Sequence, residues 1–268
     1  MLNLNLLNRQ ILGLGMGACL LWGSPVAAVV NPMQRSLRDS PQPASSRPAL
    51  WIGQRSSPPS SLDFSDVGRP RRRQGGGSRG ACLIADKPPL TALVPPTSTG
   101  YTIAQSPSFW FYVPYTLTED HALEFVLKDS QENTVYRHQG TGKEITPGIV
   151  NLRLPATVNL DPNQRYEWYF LVHCDVQNQE RFVFVNGAIA RLDQPDLQQQ
   201  VARTAASERS SLYHLSGFWY DALDVAASQM QANPQDSEIR RSWIELLAAV
   251  ELDHLSTEPI QACCVPMP

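Results

Sequence analysis

The sequence predicts an all-β, immunoglobulin-like sandwich followed by a small all-α extension that is tetratricopeptide-like. Three observations carry this. Between residues 81 and 193, short apolar runs of period two recur at regular spacing between turn signals. A Leu-x-Pro-x-x-x-Tyr stretch precedes one of them, and from residue 194 the apolar period changes to 3.6.

The strands follow in order. Phe109-Trp110-Phe111-Tyr112-Val113 ends at Pro114, which has no N–H to give a ladder. Residues 122–128 set Leu123, Phe125 and Leu127 on one face and Glu124 and Lys128 on the other. Residues 148–154 alternate Val150, Leu152 and Leu154 with Asn151 and Arg153. Residues 165–174 alternate Tyr166, Trp168, Phe170 and Val172 with Glu167 and His173. Residues 181–191 supply a last run, Phe182-Val183-Phe184-Val185, with Gly187 as an expected bulge. Leu160-Asp161-Pro162-Asn163-Gln164-Arg165-Tyr166 has the spacing of a tyrosine corner, in which the hydroxyl bonds backbone a few residues upstream. An ordinary Asp-Pro turn is the plainer reading of the same residues.

Four helices follow. Residues 196–203 place Leu197 and Val201 inward, and two further helices span about 207–216 and 218–231. Asn233-Pro234 breaks the chain, and Asp236 or Ser237 then caps a helix striped by Ile239, Trp243, Leu246, Leu247 and Val250. Counting Arg203 as the first position of a tetratricopeptide unit, Tyr213, Ala222 and Pro234 fall where that motif favours such residues. One unit is too few for a solenoid, so the helices are expected to pack on the sandwich or on a partner. The stripes are long enough to predict a residual exposed patch, with Trp219 or Trp243 as its docking residue.

The sandwich is expected over residues 81–193, the helical extension over 194–255 and a disordered tail over 256–268. Residues 29–80 are rich in Ser, Pro, Arg and Gly with apolar residues scattered singly, which predicts a disordered linker. Residues 1–28 read as a secretory signal. A polar start with Arg9 leads into an apolar run over 11–22, then Pro25 and the small residues Val26-Ala27-Ala28. The run is too short to span a bilayer. Cys19 lies inside it, ahead of any cleavage region, which favours a plain apolar role over lipid attachment. The expected location is the periplasm or cell envelope.

Of 268 residues, 42% are hydrophobic and 18% charged, which excludes a coiled coil, a collagen and a polytopic membrane protein. The net charge of −3 hides an asymmetry. Residues 29–80 hold nine Arg against three Asp, a net +6; with Arg9, that leaves −10 on residues 81–268. The arm around Arg71, Arg72, Arg73 and Arg79 suits an anionic envelope polymer or lipid headgroup, or is simply a linker; export argues against nucleic acid. Export also predicts disulfides. Cys82 with Cys174 is the expected pair, with two buried thiols as the alternative, and the state of Cys263 and Cys264 stays open.

Several segments are familiar together: Arg71-Arg72-Arg73 with Gly75-Gly76-Gly77, then Cys82; Pro107 to Pro114; Thr146-Pro147-Gly148; Leu154-Pro155-Ala156; Tyr166-Glu167-Trp168-Tyr169-Phe170 running to Cys174-Asp175; and Gly217-Phe218-Trp219-Tyr220-Asp221. Over roughly residues 70–252 the chain resembles the cyanobacterial family catalogued as domain of unknown function 928. The resemblance implies an exported protein with no assigned activity, and it lends weight to Cys82 and Cys174 as a structural pair. It transfers no catalytic residue.

No motif names a reaction. There is no G-x-S-x-G, no H-E-x-x-H and no P-loop; Gly140-Thr141-Gly142-Lys143-Glu144 lacks that spacing. His173-Cys174-Asp175 offers three ligand types, yet strand neighbours point to opposite faces, so no metal site is expected there, nor at Glu119-Asp120-His121. No catalytic residue and no cofactor is nominated. The expected function is contact with an unknown protein partner. The alternatives are a polysaccharide or envelope-polymer module, with Trp110 and Tyr112 or Glu167 and Tyr169 as its platform, and a hydrolase with an unrecognised site.

Overall fold

The computed structural model describes residues 71–77, 87–142, 145–174 and 181–261. They form a mostly antiparallel β-sheet of nine strands followed by four α-helices. The strands are β1 Arg72–Gly77, β2 Thr91–Ala92, β3 Thr99–Thr102, β4 Ser108–Val113, β5 Ala122–Lys128, β6 Thr134–Thr141, β7 Gly148–Arg153, β8 Gln164–His173 and β9 Phe182–Arg191. The helices are α1 Pro195–Arg203, α2 Arg209–Leu215, α3 Trp219–Ala232 and α4 Ser237–Ala248.

The strand order is β6-β5-β8-β9-β1-β2-β4-β7, with β3 pairing β9 in parallel off that path. The sheet folds over on itself, because rings of β4 pack against rings of β5 and β8. Phe111 stacks on Phe170 with centroids 4.1 Å apart, and Phe109 lies 4.8 Å from Phe125 and 5.9 Å from Trp168. These rings are buried, and each large apolar side chain so placed stabilises the fold by about 1.5–3 kcal/mol.

Two expectations about the strands are corrected. Residues 72–77, assigned to the disordered linker, form β1, which joins the two halves of the sheet through β9 and β2. Their Arg and Gly content masks a role that depends on close approach. The Gly75 N–H donates to the Leu90 carbonyl at 2.6 Å, and a β-carbon at Gly75 would sit 3.1 Å from the Leu90 side chain. Gly187 is not a bulge: the β8–β9 register runs straight through its pairing with Trp168. It is glycine because a β-carbon there would lie 2.4 Å from the Ser98 carbonyl oxygen and 2.5 Å from the Trp168 ring.

Other expectations hold. The Tyr166 hydroxyl accepts from the Asp161 N–H at 2.9 Å, the turn-back that the spacing predicts. Arg191 reinforces the corner by donating to the Leu160 carbonyl at 2.7 Å. Leu197 and Val201 are the buried side of α1. Asp236 caps α4, its carboxylate accepting from the Glu238 and Ile239 N–H groups.

The helices attach to the sheet through α3. Trp219 Nε1–H donates to the Leu93 carbonyl at 2.9 Å, and the Tyr220 ring meets Phe109 edge-on at 5.6 Å. Residues 256–261, expected in the disordered tail, are instead ordered against the sheet: Pro259 and Gln261 bond to both sides of Ile149, whose edge of β7 offers free backbone groups, so the chain lies beside that outer edge. Among the described residues, no helix is long and apolar enough to cross a membrane. The expected signal 1–28, with Cys19, lies outside the described residues, as do linker residues 29–70, Arg79, Cys82, Asp175, Cys263 and Cys264.

Candidate functional site

The alternation of β8 divides its side chains in two. Tyr166, Trp168, Phe170 and Val172 are buried against β4, whereas Arg165, Glu167, Tyr169, Leu171 and His173 are half-buried on the opposite face. Register extends that face across the neighbouring strands. Glu124 lies beside Leu171, Val126 beside Tyr169 and Lys128 beside Glu167 on β5, with Arg137 next to Val126 on β6. On the other side, Phe184 of β9 lies beside Leu171 and Asn186 beside Tyr169, with Arg72 of β1 beyond Asn186.

The β6-β5 side of this face holds a compact charge cluster. Arg137 places Nε and Nη2 each 2.6 Å from Glu124 Oε1, while His173 Nε2 lies 3.5 Å from Glu124 Oε2. Glu124 is buried, and a buried carboxylate needs such partners. The adjoining rings carry cations of the chain itself. The Arg72 guanidinium lies 5.4 Å from the centre of the Phe184 ring and Lys128 Nζ lies 5.8 Å from that of Tyr169. The Tyr169 hydroxyl donates to Glu167 at 3.1 Å, and Phe182 lies 6.1 Å from Phe184. The face therefore combines an apolar centre with charged groups that the chain holds in place.

The predicted site residues fall elsewhere. Trp219 and Trp243, expected on an exposed docking patch, are core residues at 4% and 1% exposure. The sheet covers α3 completely enough to take the Trp219 N–H, and Trp243 donates to the Ser256 carbonyl at 3.2 Å. What stays exposed in the helical layer is Leu215 and, less so, Ile244. Trp110 and Tyr112 are buried as well, which closes that side as a carbohydrate platform and leaves Glu167 and Tyr169 on the open one. Arg73 is structural: its guanidinium donates to the Val250 carbonyl, and burial lowers its pKa, with Glu251 opposing. Arg71 is half-buried; Arg72 is the exposed member of the three.

His173 meets Glu124 rather than a metal-ligand partner, and Cys174 is disulfide-bonded. Among the described residues, no group of three His, Cys, Asp or Glu is arranged to hold a metal ion. His121 serves its own turn, its Nδ1 accepting from the Thr118 N–H at 3.2 Å. A groove of about 620 Å³ runs between the end of α3, α4 and residues 256–260, lined by Met230, Pro234, Trp243, Ile244 and Pro259.

Among the described residues, the most perturbed carboxyl is Asp221, to which no sequence motif points. Burial in the first turn of α3 pushes it up to about 7 against hydrogen bonds from the Ile103 N–H, at 3.1 Å, and the Thr102 hydroxyl. It fastens the helix to the end of β3. Its sequence signal was weak, since an Asp at the start of a helix ordinarily reads as a solvated dipole partner.

No curated protein matches the chain. A family model described as Domain of Unknown Function (DUF928) matches residues 74–260, from within β1 to the segment beside β7, and the chain belongs to that family.

Proposed function

We propose that this chain is an exported, non-catalytic module that acts by protein contact in the periplasm or cell envelope, and that the face carried by β6-β5-β8-β9 makes the contact. The observation that carries this reading is the asymmetry between the two outer faces. Trp110 and Tyr112 on β4 are buried, while Tyr169, Leu171, Phe182 and Phe184 remain half-exposed among charged groups. An apolar centre with an Arg- and Tyr-containing rim is the ordinary composition of a protein interface. The same residues count against a sugar platform, because Lys128 and Arg72 already occupy faces of the Tyr169 and Phe184 rings.

The finer fold reading belongs to the same proposal. An immunoglobulin-like sandwich is supported by the order β6-β5-β8-β9 facing β2-β4-β7, by β3 running parallel to β9, and by the Tyr166–Asp161 bond. A single tetratricopeptide-like pair is supported by α2 and α3 turning at Gly217 and joined by the Ser210 hydroxyl on the Ala222 carbonyl, although α2 is only seven residues long.

The test is photo-crosslinking in the cells that make the protein. A benzophenone side chain replaces Tyr169 in the full chain, and a second chain carries it at Ile244. The expected result is a protein adduct from position 169, in the envelope fraction, with none from position 244. Adducts from position 244 alone, or adducts only to glycan, overturn the reading.

A further inference from the structure

We infer that the occupant of the β6-β5-β8-β9 face is an acidic, apolar-interspersed segment of another protein, bound through carboxylates to Arg72 and Lys128 and through apolar side chains to the strip along Leu171 and Phe184. This rests on the reading of that face as the contact surface and adds the chemistry of the partner.

The first ground is charge. The face carries Arg72, Lys128, Arg137 and Arg165 against Glu124 and Glu167. The helical part of the chain is of opposite sign, with eleven carboxylates against four Arg over residues 193–258. A cationic face on a chain whose helical part is acidic attracts acidic partners through that face.

The second ground is the state of the cations. The Arg72 guanidinium carbon lies 5.4 Å from the centre of the Phe184 ring, and a contact of that kind holds the cation without consuming its charge, which still attracts a carboxylate. Its position is set further by the β1 backbone, since the Arg72 N–H donates to Asn186 Oδ1 at 2.8 Å. Lys128 is held in the same manner over Tyr169. Both cations are thus positioned before binding, which lowers the ordering cost of capturing an anion.

The third ground decides between a protein and an acidic polysaccharide. Pyranose rings bind flat on open aromatic faces, and here the chain's own cations lie over Phe184 and Tyr169, while Phe182 and Phe184 are tilted by 46° to each other. What is left between the cations is the half-exposed Leu171 and the edges of the Phe rings. Those suit Leu- or Phe-like side chains alternating with carboxylates.

The probe is a fluorescent twelve-residue peptide of alternating Glu and Leu, titrated with the full chain and followed by anisotropy. Comparators are the same peptide with Lys for Glu, and polygalacturonate. The Glu-Leu peptide is expected to bind, to lose about tenfold in affinity with Arg72→Gln plus Lys128→Gln, and to weaken several-fold between low and high salt. Arg241→Gln on α4, exposed and remote, is expected to change nothing. Lys128→Gln alone keeps the test usable if the double variant melts early, and is expected to lose about threefold. Equal binding of the Lys-Leu peptide, preference for polygalacturonate, indifference to the variants, or self-association of the chain abolished by them each overturns the inference. If the peptide fails while benzophenone at position 169 still captures a protein, the partner's chemistry is wrong and the contact face stands; if both fail, the face is wrong.

Discussion

Trp168 Nε1–H donates to the Tyr220 hydroxyl oxygen at 2.8 Å, and the same hydroxyl donates to the Ala188 carbonyl at 3.2 Å. One buried phenol from α3 thereby satisfies groups on β8 and β9 at the heart of the sheet. The helical layer is thus part of the core rather than an appendage, and Gly100, whose β-carbon would lie 3.0 Å from the Tyr220 ring, makes room for it.

Tyr220→Phe keeps the ring and removes the bond. It leaves the Trp168 N–H buried without its partner and takes a donor from Ala188, so the loss should be about 1–3 kcal/mol in chemical denaturation. A variant within a few tenths of the parent would show that the network contributes nothing. Its failure would also weaken the claim that α3 is integral to the sheet.

Asp221 predicts a pH dependence of definite sign. Its folded carboxyl keeps the proton up to about pH 7, while the unfolded one releases it near the ordinary 3.8. Between those values the folded state binds more protons than the unfolded, so this group's contribution is fully present below about pH 4 and is lost as pH rises through about 7. Asp221→Asn retains an oxygen for the Ile103 N–H and removes the titration. The stability of the variant relative to the parent should rise by up to about 4 kcal/mol between pH 4 and pH 8, three pH units of linkage. A difference that stays flat across that range would place the carboxyl in an ordinary environment.

How far these features were legible follows from how local each one is. Period-two alternation in the sequence exposes β5, β7 and β8, unbroken apolar runs expose β4 and β9, which are buried along most of their length, and the Leu160-to-Tyr166 spacing exposes the corner because its hydroxyl meets backbone only a few residues away. β1 was hidden, since Arg and Gly pair into a sheet there only through β9 and Leu90, far along the chain. β6 was missed for a related reason: its inward residues are Tyr136, His138 and Gly140, which make no apolar alternation. The tryptophans of the helices announce that something covers them, not whether the cover is the sheet or a partner. Glu124, Lys128 and Glu167 could be assigned to outward positions from alternation alone. That their face is the one left half-exposed depends on where α3 docks, which no local pattern encodes.

Gly187→Ala should be among the costly single changes in the sheet. The added methyl meets the Ser98 carbonyl oxygen and the Trp168 ring at once, and neither is the free end of a flexible side chain. The Ala188 N–H also donates to that same Ser98 carbonyl at 2.9 Å, so moving the loop breaks a backbone bond. Overpacking of this kind costs about 1–3 kcal/mol, and the rigidity of both neighbours sets the expectation at the upper end. Soluble Gly187→Ala protein with an unchanged melting temperature would mean that the β2–β3 loop yields freely.

Cys174 directly follows β8 and is disulfide-bonded. Every other cysteine of the chain lies outside the described residues, so the identity of its partner rests on sequence reasoning, which favours Cys82. That residue follows β1 by five positions, and β1 runs antiparallel to β9 with Gly77 opposite Val183, at the same end of the sheet as Cys174. Closing a loop of that length stabilises by about 4–5 kcal/mol in the chain-entropy model, and native bridges in exported domains are worth about 2–5 kcal/mol. Cys174→Ser and Cys82→Ser should therefore each cost about 2–5 kcal/mol, and the double variant should cost no more than either alone. Non-reducing peptide mapping should recover the fragment bearing Cys174 joined to the one bearing Cys82. Recovery of Cys174 joined to the Cys263-Cys264 peptide would instead assign the bridge to the C-terminal tail and leave Cys82 without the structural role argued for it.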